Sequence, residues 1–396
     1  MEVFDTRYFR VNKLLLSFIG LWPFRSSFNK NRNYYCTIIG ILFALLPQIG
    51  YLFKHTRNLD DINDVLPTLT GMWICLLKAS SLRWKYKKFT ILIQHVSYDW
   101  NLLLNHDDIW ILIKYVERSR TFTLIYLFFI GTGVVSFVTA PITIPIFDTI
   151  LSLNVTKPKQ MPHPTEFFVD MERYYYILLV ITFAGYVACC TVVIATDTIY
   201  VALLQHVCGI MAILSYRLEK LDVHNKSEYI DCDLISKGDK NVDKMVECIQ
   251  LQVRIERLIK LIESTFAICL FTDISLGILL QCSACVMIVT DIDTTKIIRH
   301  CPILLMQSTR IFFNSWVGQK IIDHSSQIFD AAYNGRWYQM SPQVKRMVLF
   351  VMMKSTKPYC VTMTKLYVIC LESYSSLMKA SASYITLMLS LTSDDV

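Results

Sequence analysis

Residues 175–201 read YYILLVITFAGYVACCTVVIATDTIYV, and this stretch decides the fold class. It exceeds the roughly 20 apolar residues that cross a hydrocarbon core of ~30 Å, and Asp197 is its one charged side chain. Working outward, comparable runs occupy 36–53, 65–82 and 122–147 before it, and 264–290, 300–322 and 366–391 after it. The last of these is more polar than the rest. The expected fold class is therefore all-α, a polytopic membrane protein with seven transmembrane helices.

Composition agrees, since 54% hydrophobic and 18% charged residues and a mean hydropathy of +0.41 are too apolar for a soluble chain of this size. The net charge of +7 lies in short clusters between apolar runs instead of on one continuous face, which argues against nucleic acid as a partner. Most of the 13 cysteines sit in or beside apolar runs, where they act as small hydrophobes. Cys282 and Cys285 have CxxC spacing, but no further ligands converge on them, so helix packing is the expected role and no metal is expected. HExxH, GxSxG, Walker and GxGxxG motifs are missing, so no catalytic residue and no cofactor is expected.

Between the runs the chain has more helix. Leu203, His206, Ile210, Ile213, Leu214, Leu218 and Leu221 continue helical spacing over 202–221, and Val246, Ile249, Val253, Leu258 and Ile262 do so over 242–263. The polar stretch from Asp222 to Asp243 between them reads as a loop. Ser341 and Pro342 open a helix over 342–357, with Val344, Met347, Val348, Val351 and Met352 on one face. At the start, Arg7, Arg10 and Lys13 precede an apolar stretch from Leu14 to Trp22 with no small-residue cleavage site, which predicts a retained interfacial segment, with a cleaved signal peptide as the second reading. The expected organisation is an amino-terminal segment 1–35, spans one to four over 36–201, helical extensions and loop over 202–263, spans five and six over 264–335, an anchor helix over 336–365, and span seven with its tail over 366–396.

Lys and Arg set the orientation: 28 fall in segments on one side and 7 on the other, which puts the amino terminus in the cytoplasm and the carboxyl terminus outside. The sequons Asn154-Val155-Thr156 and Asn225-Lys226-Ser227 lie in consecutive loops, so only one can meet the glycosylation machinery. This orientation selects Asn154.

Ionisable residues inside spans are functional candidates, or else are paired internally or snorkel to the interface. Here they are Lys78, Asp197, Arg310, Glu372 and Lys379. Along the last span Ser376, Ala380, Ser383, Leu387 and Leu391 recur at three- and four-residue spacing. A small, hydroxylated face of this kind suits either a water-filled path closed by an apolar constriction or close helix contact. Aromatic and sulfur-bearing side chains gather in the outer halves of other spans: Met72, Trp73, Phe137, Tyr176, Phe183 and Tyr186, near the polar Ser136, Thr139 and Gln307. They suit an apolar pocket with a few polar groups, for a small volatile or lipophilic ligand, or ordinary interhelical packing.

These residues resemble the insect odorant receptors along nearly the whole chain. Gly20-Leu21-Trp22-Pro23 looks like the family's opening motif, and Pro164-Thr165-Glu166-Phe167 resembles its second outer loop. The carboxyl-terminal signature is the most specific part: Ala332-Tyr333, Trp337-Tyr338, Lys357-Pro358, Leu377-Met378-Lys379-Ala380-Ser381, then Ser383-Tyr384-Ile385-Thr386-Leu387-Met388. The resemblance implies an odorant receptor subunit of a ligand-gated non-selective cation channel in the plasma membrane of a sensory neuron dendrite. It also implies a heterotetramer with the odorant co-receptor, an odorant pocket in the outer half of the bundle, a pore lined by span seven, and a cytoplasmic helical anchor. Aligned on Tyr384, Leu387 and Leu391 match the gate positions, and Ser390 stands where the co-receptor has Gln. The alternatives are a gustatory receptor of the same superfamily, whose TYhhhhhQF ending is only partly followed, and a metabotropic seven-helix receptor. The latter would need an outer amino terminus and a Cys in the second outer loop, where 148–172 holds none.

Overall fold

A computed structural model describes residues 2–55, 59–103, 107–150, 161–221, 240–290, 294–363 and 367–394. At residues 2, 59–61, 63, 138, 140–150, 240, 286–290, 294–300, 385, 388, 389 and 391–394 it describes the backbone alone. Ten helices carry the fold: α1 Arg10–Phe18, α2 Ser27–Lys54, α3 Leu59–Trp84, α4 Tyr86–Leu103, α5 Ile109–Ile150, α6 Met171–Glu219, α7 Lys240–Thr290, α8 Thr294–Asn334, α9 Pro342–Ser355 and α10 Leu371–Asp394. Among the described residues, five of them contain segments long and apolar enough to cross a membrane: Ser27–Lys54, Asp64–Trp84, Ile109–Phe137, Met171–Glu219 and Asn241–Cys285. The run 300–322 falls in α8 and residues 371–391 of the last run in α10, and neither helix is in that group among the described residues.

α6 is the axis of the bundle. Asp170 caps it by accepting from the amides of Glu172 (3.1 Å) and Arg173 (3.4 Å), and Glu172 and Arg217 sit at the ends that the helix dipole favours. Every residue from Val192 to Met211 is buried, as expected of a helix apolar on all sides. With 49 residues it is far longer than a bilayer requires, and its second half packs in a helical bundle with α4, α7, α8 and α9, the region expected to be the anchor. There, Arg254 and His206 meet Asp99 at 2.9 and 3.4 Å, and Arg217 meets Asp108 at 2.5 Å. At the other end α2 crosses α6 on small residues, since a Cβ at Gly185 would lie 2.8 Å from the Gly40 carbonyl oxygen and overlap Ala44.

The opening motif has a physical reading. Gly20 adopts φ 72°, a left-handed turn that ends α1, and a side chain there would meet the Lys30 carbonyl. That reversal drives Leu21 and Trp22 into the core, where Trp22 packs edge-on to Phe4 with ring centroids 5.2 Å apart. Leu14 and Phe18 on α1 remain exposed, the arrangement of an interfacial helix.

The structure departs from the sequence reading in four places. α4 was not anticipated, although Phe89, Leu92, Ile93 and Val96 bury one helical face. α7 begins at Lys240, inside the expected loop, and residues 222–239 lie outside the described residues. α9 ends at Ser355, two residues early. The last helix starts at Leu371 instead of 366, because Thr362–Met363 (β1) pairs antiparallel with Tyr367–Val368 (β2), and Glu263 on α7 accepts from the Thr362 amide (2.6 Å) and hydroxyl (2.7 Å). These β-branched and aromatic residues favour extended backbone over a helix start.

Candidate functional site

The end of the bundle opposite the anchor holds an apolar cluster of Ile74, Val134, Phe137, Leu280 and Ile303, with Tyr186 packed against it. α3, α7 and α8 each give one side chain and α5 gives two, Val134 and Phe137, while Tyr186 joins from α6. Phe137 meets Tyr186 edge-on at 5.2 Å. The Tyr186 hydroxyl lies 3.1 Å from His163 Nδ1 and accepts from the Gln48 amide at 3.5 Å, and that amide also reaches the Met72 sulfur at 3.3 Å. Thr68 donates to Gln48 Oε1 at 3.1 Å. The result is a packed apolar cluster with a short polar chain along one side.

His163 arrives on a segment that folds back over α2. The Glu166 amide donates to the Pro47 carbonyl (2.9 Å), and Lys54 pairs with Glu166 at 2.8 Å. The Lys54 partner holds the Glu166 carboxyl below its usual range.

Of the residues expected in the pocket, Met72, Phe137 and Tyr186 come together. Trp73, Tyr176 and Phe183 are exposed at 44%, 67% and 40% and lie outside this cluster. Ser136 is also exposed, and Thr139 donates to the Val135 carbonyl at 2.8 Å. Gln307 is buried but aimed elsewhere: its carbonyl accepts from Arg310 at 2.9 Å, and its amide reaches the Asp273 carbonyl at 3.5 Å.

Arg310 belongs to a buried ionic cluster about three turns along α6 from Tyr186, toward the anchor. Lys78 pairs with Asp197 and with Asp273 (2.5 Å); Arg310 pairs with Asp273 and with Asp197 (3.3 Å); Tyr126 donates to Asp197 at 2.7 Å. All four charged side chains are at most 7% exposed. Two positive and two negative charges from α3, α6, α7 and α8 thus neutralise one another, the arrangement that makes ions tolerable away from water. Glu372 and Lys379 behave differently: both are exposed on α10, with no ion-pair partner among the described residues.

α10 packs against α7 and α8 through Leu377 and Ser381, with Phe312 and Tyr374 in edge contact at 5.6 Å and Gln281 donating to the Met378 sulfur at 3.3 Å. Ser376, Ala380, Ser383, Leu387 and Ser390 are all exposed, so the small and hydroxylated face points out of the protomer. Ser390 donates to the Leu387 carbonyl at 2.8 Å. Leu391 lies where only the backbone is described. Beside this face a groove of about 560 Å³ runs between α3, α7 and α10, lined by Leu66, Ile278, Leu279, Cys282, Ala380 and Tyr384 among others. Cys282 and Cys285 are free thiols, and among the described residues no cluster has the make-up of a metal site.

The 7tm Odorant receptor family model matches residues 58–382. The chain belongs to the insect odorant receptor family. Among curated relatives, odorant receptor Or2 of Anopheles gambiae is 23% identical over 366 residues, covering 89% of this chain and 91% of its own. Odorant receptor Or1 of the same mosquito is 21% identical, covering 99% and 98%. The solved structure of the olfactory receptor OR5 from Machilis hrabei superposes with a TM-score of 0.78 at 13% identity, covering 98% of this chain and 99% of that one. Its complex with eugenol gives 0.74 at 12%.

In this odorant receptor the residues that sequence reasoning missed are Gln48, Thr68, His163 and Asp273. Gln48 follows Pro47 in the apolar run 36–53, and an uncharged amide there is a readable signal. Asp273 lies ten residues inside an apolar run, as conspicuous as Asp197 once sought. His163 sits in a loop, and nothing local in the sequence directs it toward Tyr186.

Proposed function

We propose that this odorant receptor is the odorant-binding subunit of a ligand-gated, non-selective cation channel, with seven spans, a cytoplasmic amino terminus and a carboxyl terminus outside. The observation that carries this is the two-sided α10: Leu377 and Ser381 face the bundle, while Ser376, Ala380, Ser383, Leu387 and Ser390 face outward. A wettable face turned away from its own protomer suits a conduit walled by several subunits, and Leu387 supplies the apolar constriction that closes it. The basic anchor end faces the cytosol under the positive-inside rule. Asn154, outside the described residues, is then the glycosylated acceptor.

The ligand chamber is the cluster around Tyr186, Phe137 and Met72. It suits small lipophilic molecules of the kind that eugenol represents in the Machilis complex. Ligand opens the channel by binding more strongly to the open arrangement of α7, α8 and α10 than to the closed one. Ser390, where the co-receptor has Gln, supports a tuning subunit that assembles with the co-receptor as a heterotetramer. The match to the odorant receptor family ranks a gustatory role second.

The test is an odorant panel recorded as current from cells making this chain with and without the co-receptor, followed by excised patches. Agonist-evoked current in a patch lacking cytosol, seen only with the co-receptor, is expected. A response that needs G proteins and gives no local current would overturn the channel reading. Tyr186→Ala is expected to change the rank order of active ligands, since it removes an aromatic wall and the hydroxyl shared by Gln48 and His163.

A further inference from the structure

We propose that the turn between α3 and α4 binds the phosphorylated headgroup of an anionic phospholipid of the phosphoinositide class. A concavity of about 540 Å³ lies there, lined by Lys30, Arg83, Lys85, Lys87 and Lys88 together with Trp84 and Tyr86. Five cations converge on one hollow, and residues 6–59 and 65–98 on either side of it contain no Asp or Glu. Among the described residues none of the five makes an ion pair with a carboxylate.

The hollow is organised in advance. Lys30 on α2 is 8% exposed and donates to the Tyr86 hydroxyl at 2.8 Å, with its ammonium 4.2 Å from that ring. Tyr86 in turn donates to the Pro23 carbonyl at 2.8 Å, and Arg83 is held by Asn31 Oδ1 at 2.6 Å. Lys30 and Arg83 thus form a fixed floor, while Lys87 and Lys88 are exposed at the rim.

Membrane depth selects the ligand. The apolar segment Asp64–Trp84 ends here, and Trp84, 78% exposed, stands where an indole marks the headgroup level. A basic cluster placed immediately after a spanning helix reads as a site for a multiply charged lipid head, with each exposed lysine adding roughly fivefold in affinity. The assignment to the inner leaflet rests on the proposed orientation. The binding itself does not.

The experiment uses the full-length receptor in phosphatidylcholine nanodiscs with or without phosphatidylinositol bisphosphate, reading bound lipid by native mass spectrometry. Lys85→Gln/Lys87→Gln/Lys88→Gln is expected to weaken lipid binding at least about tenfold. Lys345→Gln/Arg346→Gln/Lys354→Gln on α9, an equally basic stretch, is expected to leave it unchanged. Elution profile and Tm report folding, and Lys87→Gln alone, at an exposed position, keeps the test valid should the triple variant misfold.

Equal lipid binding by wild type and both variants overturns the site. Displacement of the lipid by inorganic phosphate at matched concentration would reduce it to a free-anion site and overturn the lipid assignment. Labelling of Lys88→Cys by an impermeant maleimide on intact cells would place the hollow outside. That result overturns the inner-leaflet assignment while the nanodisc result stands.

Discussion

Lys78, Asp197, Asp273 and Arg310 are neutral only as a set, so removing one leaves an uncompensated charge where water does not reach. Asp273→Leu is expected to destabilise the receptor by about 3–5 kcal/mol, read as lost monodisperse protein on detergent size exclusion. Asp273→Leu combined with Arg310→Met keeps the Lys78–Asp197 pair and is expected to recover most of the loss. Full recovery by Asp273→Leu with Lys78→Arg, which leaves the imbalance in place, would contradict this electrostatic account. His324, just past the 300–322 segment, gives a pH-dependent case. Burial against Tyr115 (ring centroids 5.2 Å) lowers its pKa, despite a hydrogen bond with Gln327 at 2.9 Å, and Lys320, Asp323 and Arg118 are the charges around it. Because the folded value is depressed, the stabilisation from neutral His324 is complete above the unfolded value of ~6.5 and is lost as pH falls through the lowered one. His324→Gln is expected to flatten the acid limb of a Tm against pH profile. At this scale the sequence exposed Lys78, Asp197 and Arg310 but neither Asp273 nor the pairing, since an ionisable residue stands out in an apolar run while its partner is 37 to 195 residues away.

Among the elements, α6 and α10 were readable because each has one dominant pattern, continuous apolarity in the first and a small-residue face in the second. α4 is hard to read for the opposite reason. Its buried Phe89, Leu92, Ile93 and Val96 are spaced for a helix, but a search for lengths that cross a bilayer passes over an amphipathic piece of 18 residues. The aromatic side chains of α3 and α6 were harder still. Trp73 and Met72 are adjacent, yet one is 44% exposed and the other 2%, and only the azimuth of the helix separates them. Leu387→Ser is expected to raise basal current in the assembled channel, because a hydroxyl wets the constriction; unchanged basal current and conductance would remove Leu387 from the gate. Gly185→Leu is expected to separate α2 from α6 and to abolish surface expression, measured by labelling of intact cells. Overpacking of this kind commonly costs about 1–3 kcal/mol, and more where backbone is the neighbour.

For the whole molecule, hydropathy carries the fold class and charge asymmetry supports the proposed orientation, whereas assembly is written on surfaces that a single sequence does not label. An epitope placed before residue 30 is expected to stay inaccessible to antibody on intact cells and to become accessible on permeabilisation. Reaction without permeabilisation would invert the topology and with it the side on which the anchor lies. The outward hydroxyl face of α10 has a consequence for how such a receptor divides labour with its neighbours. Under the proposed assembly with the co-receptor, the tube has staves from different genes and a mosaic interior, so each chain owns only a sector of the wall that passing ions touch. Altering that sector shifts permeation in increments set by how many copies are present. Unitary currents from mixtures of native and altered subunits therefore count the staves.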